Sequence, residues 1–388
     1  MSDAQTADVE TIRASSVGKD ARPRLLGAGL ERLADFRHTH TRTSELFVEL
    51  DRLFPVVGYL RPAIGGWRDA LLKLRAFHPD RDSWRGRWAL SPRAFSLRTD
   101  LMEHGLERWG GEFDLLFQLQ TVFAPGRAPD VPYTIYTDNI YTMTERYYPG
   151  WAPLGRSAGE WIELEAATCR GASYIFAWSE FLRASLIADY DVEPERVVVA
   201  GAAARAVAPS LEGKRWDRQV ALFVGNKFEL KGGRTLLEAW ELVRRRLPDA
   251  TLQIAGPKRD PGGGPGVEWL GLLDWPELER RYREASVFVL PTLYDAFGLV
   301  FPEAMGQGLP VIGTNHCAIP EIIREGVDGL LVPPRDAEAL AEALIALLED
   351  PVRGETMGRA GYESVQERWT YRAVAKRMAA PIEAAVAG

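Results

Sequence analysis

Two carboxylates stand eight positions apart in YDAFGLVFPEAMGQGLPVIGTN, residues 294–315. Asp295 precedes the helix that this segment predicts, and Glu303 lies about one turn within it. A carboxylate accepts hydrogen bonds from hydroxyl groups, so two of them at this spacing could hold two different polyols. A purely structural explanation competes with this one: Asp295 caps the helix, and Glu303 is a solvated side chain. The local pattern leaves both open.

Two loops in the same half of the chain are suited to anions. FVGNKFELKGG, residues 223–233, places Gly225 at the end of a predicted strand and Lys231 just before a predicted helix. A helix N-terminus offers backbone N–H groups, and a nearby lysine adds positive charge. In the other loop, Gly298 lets the backbone approach a ligand closely. Together the loops suggest a diphosphate, whereas each alone also fits an ordinary strand–loop–helix connection.

Strands and helices alternate along the chain. Strands are predicted in the first half at residues 23–27, 55–59, 113–118, 132–137, 173–178 and 196–200, with helices at 43–53, 158–170 and 180–190. Strands are predicted in the second half at residues 220–224, 251–255, 267–270, 286–290, 309–312 and 329–332. This rhythm favours α/β domains whose parallel sheets are covered on both faces.

The predicted organisation has two Rossmann-like domains of similar size. The successive segments are a flexible tail over 1–22, a first domain over 23–201, a linker over 202–218, a second domain over 219–370 and a helix over 371–388 that crosses back to the first domain. Such domains leave a cleft where the carboxyl ends of both sheets face each other.

Composition excludes several classes of protein. The 388 residues carry a net charge of −7 and only two cysteines, which argues against nucleic acid binding, a disulfide framework and a cysteine metal site. No apolar run reaches the roughly 18 residues that span a bilayer, so a cytoplasmic protein is expected. Residues 52–108 are basic and rich in Trp and Phe. They predict weak peripheral contact with an anionic membrane, binding of an acidic acceptor, or a solvated face.

The run from Val220 to Trp369 resembles the donor half of a retaining glycosyltransferase of family 4. The similar segments, in the family's order, are FVGNKFELKGGRTLLEAW, LQIAGP, EASVFVLPTLYDAFGLVFPEAMGQGLPVIGTN, IPEIIREGVDGLLVPPRDAEALAEAL and ESVQERWTYRAVAKRM. The resemblance implies the GT-B architecture, two Rossmann-like domains with the active site between them. It also implies transfer of a sugar, with retention, from a nucleotide-diphosphate sugar to a hydroxyl of a glycan, lipid or small molecule. Among donors, we favour a UDP-sugar.

The family's E-x7-E motif aligns with Asp295 and Glu303, which implies contact with the transferred sugar and with the ribose, respectively. The resemblance assigns Lys231 to the diphosphate and the amides of residues 297–299 to the sugar or diphosphate. The predicted donor-binding residues are Gly225, Asn226, Lys227, Lys231, Gly256, Leu272, Asp295, Phe297, Gly298, Leu299 and Glu303.

The chain departs from the family pattern at four places. Asp295 replaces the usual Glu, and Asn226 replaces an Arg whose charge Lys227 would supply. Cys317-Ala318 replaces a Gly-Gly pair, so we do not carry that loop's contacts over. Thr137 or Asp138 stands near the family's histidine, and Asp138 would orient the sugar or receive the acceptor's proton. The predicted catalytic residues are Asp295, Lys231 and Asp138.

Tyr136 and Tyr141 belong to an aromatic cluster that we predict to bind the acceptor by stacking, although such clusters also form cores. No cofactor or metal is expected. Asp80-Arg-Asp82 and Asp189-Tyr-Asp191 match the metal-binding DxD pattern of another glycosyltransferase class, but three-residue matches arise by chance. Two other functions suit the architecture: a catalytically silent sugar-nucleotide-binding protein, and a nucleotide-sugar epimerase or sugar phosphorylase. The donor sugar, its base, the acceptor and the oligomeric state stay open.

Overall fold

The computed structural model describes residues 10–13, 22–32, 41–126, 131–205, 207–208, 210–260 and 262–388. The chain forms two compact units, one of Met1–Gly201 with Val374–Gly388 and the other of Ala202–Ala373. Each unit has its own sheet of mainly parallel strands with helices between them. The predicted pair of Rossmann-like α/β domains is therefore confirmed.

The first unit is built on a seven-stranded sheet. Its strands are β1 Glu10–Arg13, β2 Leu25–Ala28, β3 Val56–Arg61, β4 Leu115–Leu119, β5 Tyr133–Thr137, β6 Tyr174–Ala177 and β7 Val197–Val199, in the order β1-β3-β2-β4-β5-β6-β7. β1 is antiparallel to β3, and the other strands pair in parallel. Strands β2, β4 and β5 are buried throughout, as expected for strands covered on both faces.

The helices of the first unit are α1 Arg42–Leu53, α2 Gly66–Arg75, α3 Arg81–Ala89, α4 Pro92–Glu107, α5 Tyr141–Tyr147, α6 Ala158–Gly171 and α7 Glu180–Tyr190. Polar side chains begin several of them; Thr41, Asp80, Ser91 and Ser179 each accept a first-turn amide. Sequence periodicity predicts α1, α6 and α7 but not α2 to α5. Within the expected tail over 1–22, residues 10–13 instead form strand β1, and residues 1–9 and 14–21 lie outside the described residues.

The second unit is built on a six-stranded parallel sheet. Its strands are β8 Val220–Val224, β9 Thr251–Ala255, β10 Val267–Gly271, β11 Val287–Val289, β12 Val311–Thr314 and β13 Gly329–Val332. Its helices are α8 Gly233–Arg246, α9 Trp275–Glu284, α10 Val300–Met305, α11 Ile319–Ile322, α12 Ala337–Glu349 and α13 Pro351–Arg368. The sheet order β10-β9-β8-β11-β12-β13 reverses direction between β8 and β11. That point is where open α/β sheets bind ligands.

The segment 202–218, expected as a linker, is anchored to the second unit. The Trp216 indole donates to the carbonyl of Gly308 at 2.9 Å. The Lys214 ammonium donates to the carbonyls of Tyr282, Arg283 and Ala285 at the end of α9, at 2.7 to 3.0 Å. Burial lowers the pKa of Lys214 to about 7. Two long side chains thus hold the predicted linker against the second unit.

The last helix, α14 Tyr371–Ala387, begins in the second unit, and its residues from Val374 onward group with the first. The Arg377 guanidinium donates to the carbonyl of Ala200 at 2.7 Å. Val374, Met378 and Ile382 are fully buried. In the part of the chain that the structure describes, no helix is long and apolar enough to cross a membrane.

Candidate active site

Lys231 and Asp295 lie at the point where the order of the second sheet reverses. Lys231 is in the loop after β8 and Asp295 in the loop after β11, and these two strands are neighbours. The Lys231 ammonium stands 2.5 Å from a carboxylate oxygen of Asp295 and donates to the carbonyl of Tyr294 at 3.3 Å. The two side chains are 20% and 19% exposed. The structure thus brings together the two residues predicted to act on the donor.

Backbone contacts between the two loops fix this ion pair. The Leu293 amide donates to the carbonyl of Leu230 at 2.9 Å. Gly232 has a φ of +75°, and a Cβ there would stand 1.8 Å from the carbonyl oxygen of Pro291. Because only glycine tolerates both the conformation and the approach, Gly232 is a packing requirement of the site.

Glycines end the strands on the other side of Lys231. The Gly225 amide donates to the carbonyl of Ala255 at 2.9 Å, and the Gly256 amide to that of Gly271 at 2.7 Å. A Cβ on Gly256, whose φ is +116°, would lie 2.7 Å from the Gly225 carbonyl and 3.0 Å from the Asn226 side-chain oxygen. The carboxyl ends of β8, β9 and β10 therefore pack closely through glycine backbone.

Three further predicted donor-binding residues lie in the loops that follow these strands. Asn226 is exposed, and Lys227 is half-buried, with its carbonyl accepting the Lys231 amide at 2.9 Å. Leu272 follows β10 and is 65% exposed. An exposed leucine at the carboxyl end of a strand is available to a ligand.

The structure contradicts the purely structural explanation of Asp295 as a helix cap and Glu303 as a solvated side chain. Asp295 does not cap α10: the N-cap residue is Leu299, without a side-chain cap, and Asp295 accepts a long 3.4 Å bond from the Phe297 amide. Glu303 is not solvated, because it is only 2% exposed. The explanation of Glu303 as a solvated side chain is therefore wrong. A carboxylate buried to this extent is costly unless it is paired. Gly298, with φ +98°, lets the loop turn between them.

Cys317 is a site residue whose contacts sequence reasoning left out. Its thiol lies against the backbone of Asp295 and within the electrostatic reach of Asp295 and Lys231. Burial raises the pKa of the thiol to about 11, and the Asp295 backbone partly opposes this shift. Its φ of +54° is in the left-handed region that favours glycine. The departure from a Gly-Gly pair was the signal that marked this position.

The first unit has a pocket at the carboxyl end of β5. Its volume is about 180 Å³, and the residues lining it include Gln120, Asp138, Asn139, Trp151 and Glu165. The lining mixes amides and carboxylates with aromatic faces. Such a mixture suits a molecule with several hydroxyl groups and an apolar ring face. Asp138, predicted to be catalytic, is therefore in a pocket of the first unit.

A buried carboxylate organises this pocket, and sequence reasoning missed it. Glu165 accepts hydrogen bonds from the hydroxyls of Thr121 and Tyr190, the Tyr141 amide and the Trp161 indole. Burial raises the pKa of Glu165, while these four donors favour its charged form. In sequence it is one of several glutamates on α6, so nothing local distinguishes it.

Tyr136 and Tyr141 are core residues by their exposure, 7% and 4%. The Tyr136 hydroxyl donates to the carbonyl of Gly201 at 2.9 Å, and the Tyr141 hydroxyl to that of Ala152 at 3.0 Å. Tyr141 still lines the pocket, whereas Tyr136 stacks obliquely on Trp178. Acceptor binding by these tyrosines stays a prediction.

The two DxD sequences have structural roles. Asp80 caps α3, and Asp189 accepts from the Thr142 hydroxyl and pairs with Arg146 at 2.9 Å. Among the described residues, no three His, Cys, Asp or Glu side chains cluster as a metal site would require. Independence from metal stays a prediction.

Comparison with known proteins agrees with this geometry. Residues 218–350 match the model of glycosyl transferases group 1. The chain is 34% identical over 180 residues to the phosphatidyl-myo-inositol mannosyltransferase of Mycobacterium leprae, covering 44% of this chain and 48% of that protein. It is 32% identical over 213 residues to the D-inositol 3-phosphate glycosyltransferase of Pseudarthrobacter chlorophenolicus, covering 49% of this chain and 51% of that protein. The matched region thus spans about half the length of these relatives.

The fold as a whole is also shared. The structure superposes on sucrose-phosphate synthase from Thermosynechococcus elongatus with a TM-score of 0.69 and 18% identity, covering 94% of this chain and 100% of that one. At this identity the likeness concerns the fold alone. The structure therefore has the fold of the GT-B glycosyltransferases, and residues 218–350 of its second unit match the glycosyl transferases group 1 domain.

Proposed function

We propose that the protein transfers a sugar from a nucleoside-diphosphate sugar to an acceptor hydroxyl, with retention of the anomeric configuration. The observation that carries the proposal is the Lys231–Asp295 pair, 2.5 Å apart at the reversal point of the second sheet. It stands within the segment that matches the group 1 model. A cation at the carboxyl end of a strand suits a diphosphate, and a carboxylate beside that cation suits the hydroxyls of the attached sugar.

The leaving diphosphate gains negative charge as its bond to the sugar breaks. The Lys231 ammonium, the Lys227 side chain and the amides of residues 297–299 would stabilise that charge, which lowers the barrier because it grows in the transition state. Asp295 would position the sugar, and Glu303 would hold the ribose. The acceptor attacks from the face that the diphosphate leaves, and a phosphate oxygen or Asp138 receives its proton.

The first unit is proposed to hold the acceptor in the pocket around Asp138 and Glu165. Its polar lining suits a polyol, and both matched relatives have inositol in the names of their activities. Inositol phosphates and phosphatidylinositol are therefore the first acceptors to test. We further propose a cytoplasmic reaction that needs no divalent metal, so the assays contain EDTA.

The test compares three variants. Purified wild-type protein is screened against UDP- and GDP-sugars by thermal shift, since a ligand that binds the native state raises the melting temperature. With the donor so found, Lys231→Ala should lower turnover on the order of a hundredfold, and Glu303→Gln should weaken donor binding about tenfold or more. Arg234→Ala is the matched control, because Arg234 is an exposed cation just after Lys231 that pairs with Glu229.

Near-normal kinetics in both site variants would overturn the proposal. Donor binding without transfer or hydrolysis would indicate a sugar-nucleotide-binding protein, and reaction without an acceptor would indicate an epimerase. The configuration of the product, read from its anomeric proton signal, tests retention.

A further inference from the structure

Helix α2 turns an apolar stripe toward solvent. Trp67 is 72% exposed, Leu71 36% and Leu74 73%. At 3.6 residues per turn these three side chains fall within about 60° of one another around the helix axis. Phe77, just past the helix end, is 65% exposed. We call the side chains of Trp67, Leu71 and Leu74 the α2 stripe. Large apolar groups are seldom exposed together, so a lipid surface or another molecule is expected to cover this stripe.

The orientation of α2 is fixed from its opposite side. Leu72 is the residue of α2 that is buried. The Trp84 indole of α3 donates to the Lys73 carbonyl at 2.8 Å, and the Lys73 ammonium lies over the Trp88 ring at 4.6 Å. These contacts hold α2 against α3 through the face away from the stripe. The stripe is thus displayed by a docked helix, which needs no rearrangement to meet a flat surface.

Positive charge borders the stripe. Residues 66–93 carry seven Arg or Lys and three Asp, in a chain of net charge −7. Asp69 pairs with Lys73 at 2.6 Å, and Asp80 accepts the Ser83 amide at 2.7 Å. Arg68 and Arg75 are exposed on one flank of the stripe. The local field therefore attracts anions although the whole protein repels them.

We propose that the α2 stripe docks on the surface of an anionic lipid membrane. A helix with Trp and Leu on one side and Arg along its flank lies in the interface plane, burying the apolar side chains at the headgroup boundary while the guanidinium groups meet phosphates. Charge complementarity favours this occupant, because a second copy of the chain would bring the same basic flank against itself. The inference does not depend on the proposed glycosyl transfer.

The experiment is vesicle co-sedimentation of the full chain. Vesicles of mixed phosphatidylcholine and phosphatidylglycerol should bind it, those of phosphatidylcholine alone should bind it much more weakly, and added salt should release it. Trp67→Ser combined with Leu74→Ser should reduce binding about tenfold or more. Arg68→Glu and Arg75→Glu should each reduce it at least about fivefold.

The matched control removes exposed apolar side chains elsewhere. Val327 and Val352 are 48% and 73% exposed in the second unit, so Val327→Ser with Val352→Ser should leave vesicle binding unchanged. Circular dichroism and melting temperature confirm that all variants fold, which the exposure of the substituted residues favours.

Binding that depends on anionic lipid, is lost in the stripe variant and is kept in the control supports the proposal. Equal binding by the wild type and stripe variant overturns it, as does equal loss in the stripe and control variants. Failure to bind vesicles also overturns it; if light scattering then shows self-association that the stripe variant abolishes, the face is an interface between copies of this chain.

Discussion

Asp295 is one methylene shorter than the glutamate usual at its position in the family, and the structure shows what the shorter side chain does. Its carboxylate reaches the Lys231 ammonium at 2.5 Å while the same ammonium donates to the carbonyl of Tyr294. Lys231 is thus held by two acceptors from one loop. A diphosphate in this place would have to draw the ammonium from that loop or share it, which couples donor binding to the position of Asp295.

Cys317 gives the site a titratable group that can be measured directly. Burial raises its pKa to about 11, so the thiol is protonated at neutral pH. Since the thiolate is the reactive form, alkylation by iodoacetamide should accelerate about tenfold per pH unit from pH 7 to near 10 and level off near 11. Mass spectrometry of the labelled peptide separates Cys317 from Cys169, which is fully buried and whose pKa is also raised.

A rate profile with its midpoint near the ordinary thiol value of about 8.5 would contradict this environment for Cys317. Bound nucleotide sugar should slow the labelling if the donor covers Asp295, as proposed. Cys317→Ser, which keeps the size but removes the reactive group, is the control for labelling at other residues.

At the scale of elements, the site depends on how closely the β8–α8 and β11–α10 loops approach. Gly232→Ala places a Cβ 1.8 Å from the Pro291 carbonyl and forces alanine to a φ of +75°. The loops must separate, so we expect a loss of at least about 3 kcal/mol in the free energy of unfolding. Urea denaturation measures this loss of stability. Donor affinity should fall as well, because Lys231 moves with the displaced loop.

Gly326→Ala is the matched control for that substitution. Gly326 has a φ of +74°, but nothing lies within 4 Å of an added Cβ. Alanine there meets only the left-handed strain of about 1 kcal/mol. Equal losses in the two variants would show that backbone strain, not the contact between the loops, explains the effect.

Sequence periodicity predicts the strands of this fold well because they are short apolar runs bounded by turn residues. The limits of β8, β9 and β13 agree with prediction to the residue. Helices α2 to α4 escape it because their buried positions are not a run of apolar residues. The apolar stripe of α2 faces solvent, the buried residues of α3 are Ser83 and Gly86, and the buried face of α4 includes Arg98 and Thr99. Such a helix is identified only when its packing is seen.

The candidate site was predictable where it follows a family motif and not where it depends on distant partners. Lys231 and Asp295 are 64 residues apart in sequence, yet motif and strand order bring them together. Glu165 and Lys214 escape prediction because most partners of Glu165 and all three carbonyl partners of Lys214 come from other elements. The burial of Glu303 is likewise a property of the packed second unit that no window of sequence displays.

At the scale of the whole molecule, the chain starts in the first unit, builds the second and returns through α14. Two matched methionines test whether α14 stabilises the first unit. Met378 on α14 is fully buried, and Met357 on α13 is 4% exposed. Met→Ala at a buried position costs roughly 2–5 kcal/mol. Met378→Ala should speed amide hydrogen exchange in β6 and β7 of the first unit, whereas Met357→Ala should speed it in β12 and β13 of the second.

Because both variants remove the same side chain, the strands in which amide exchange accelerates distinguish the two outcomes. For a loss of about 3 kcal/mol, amides that exchange only by unfolding of the affected unit should exchange about a hundredfold faster. If Met378→Ala instead loosened β12 and β13 while β6 and β7 kept their protection, α14 would be stabilising the second unit. The grouping of Val374–Gly388 with Met1–Gly201 would then be wrong. The expected pattern follows because Arg377 bonds to Ala200 and Met378 stands next to it on the same helix.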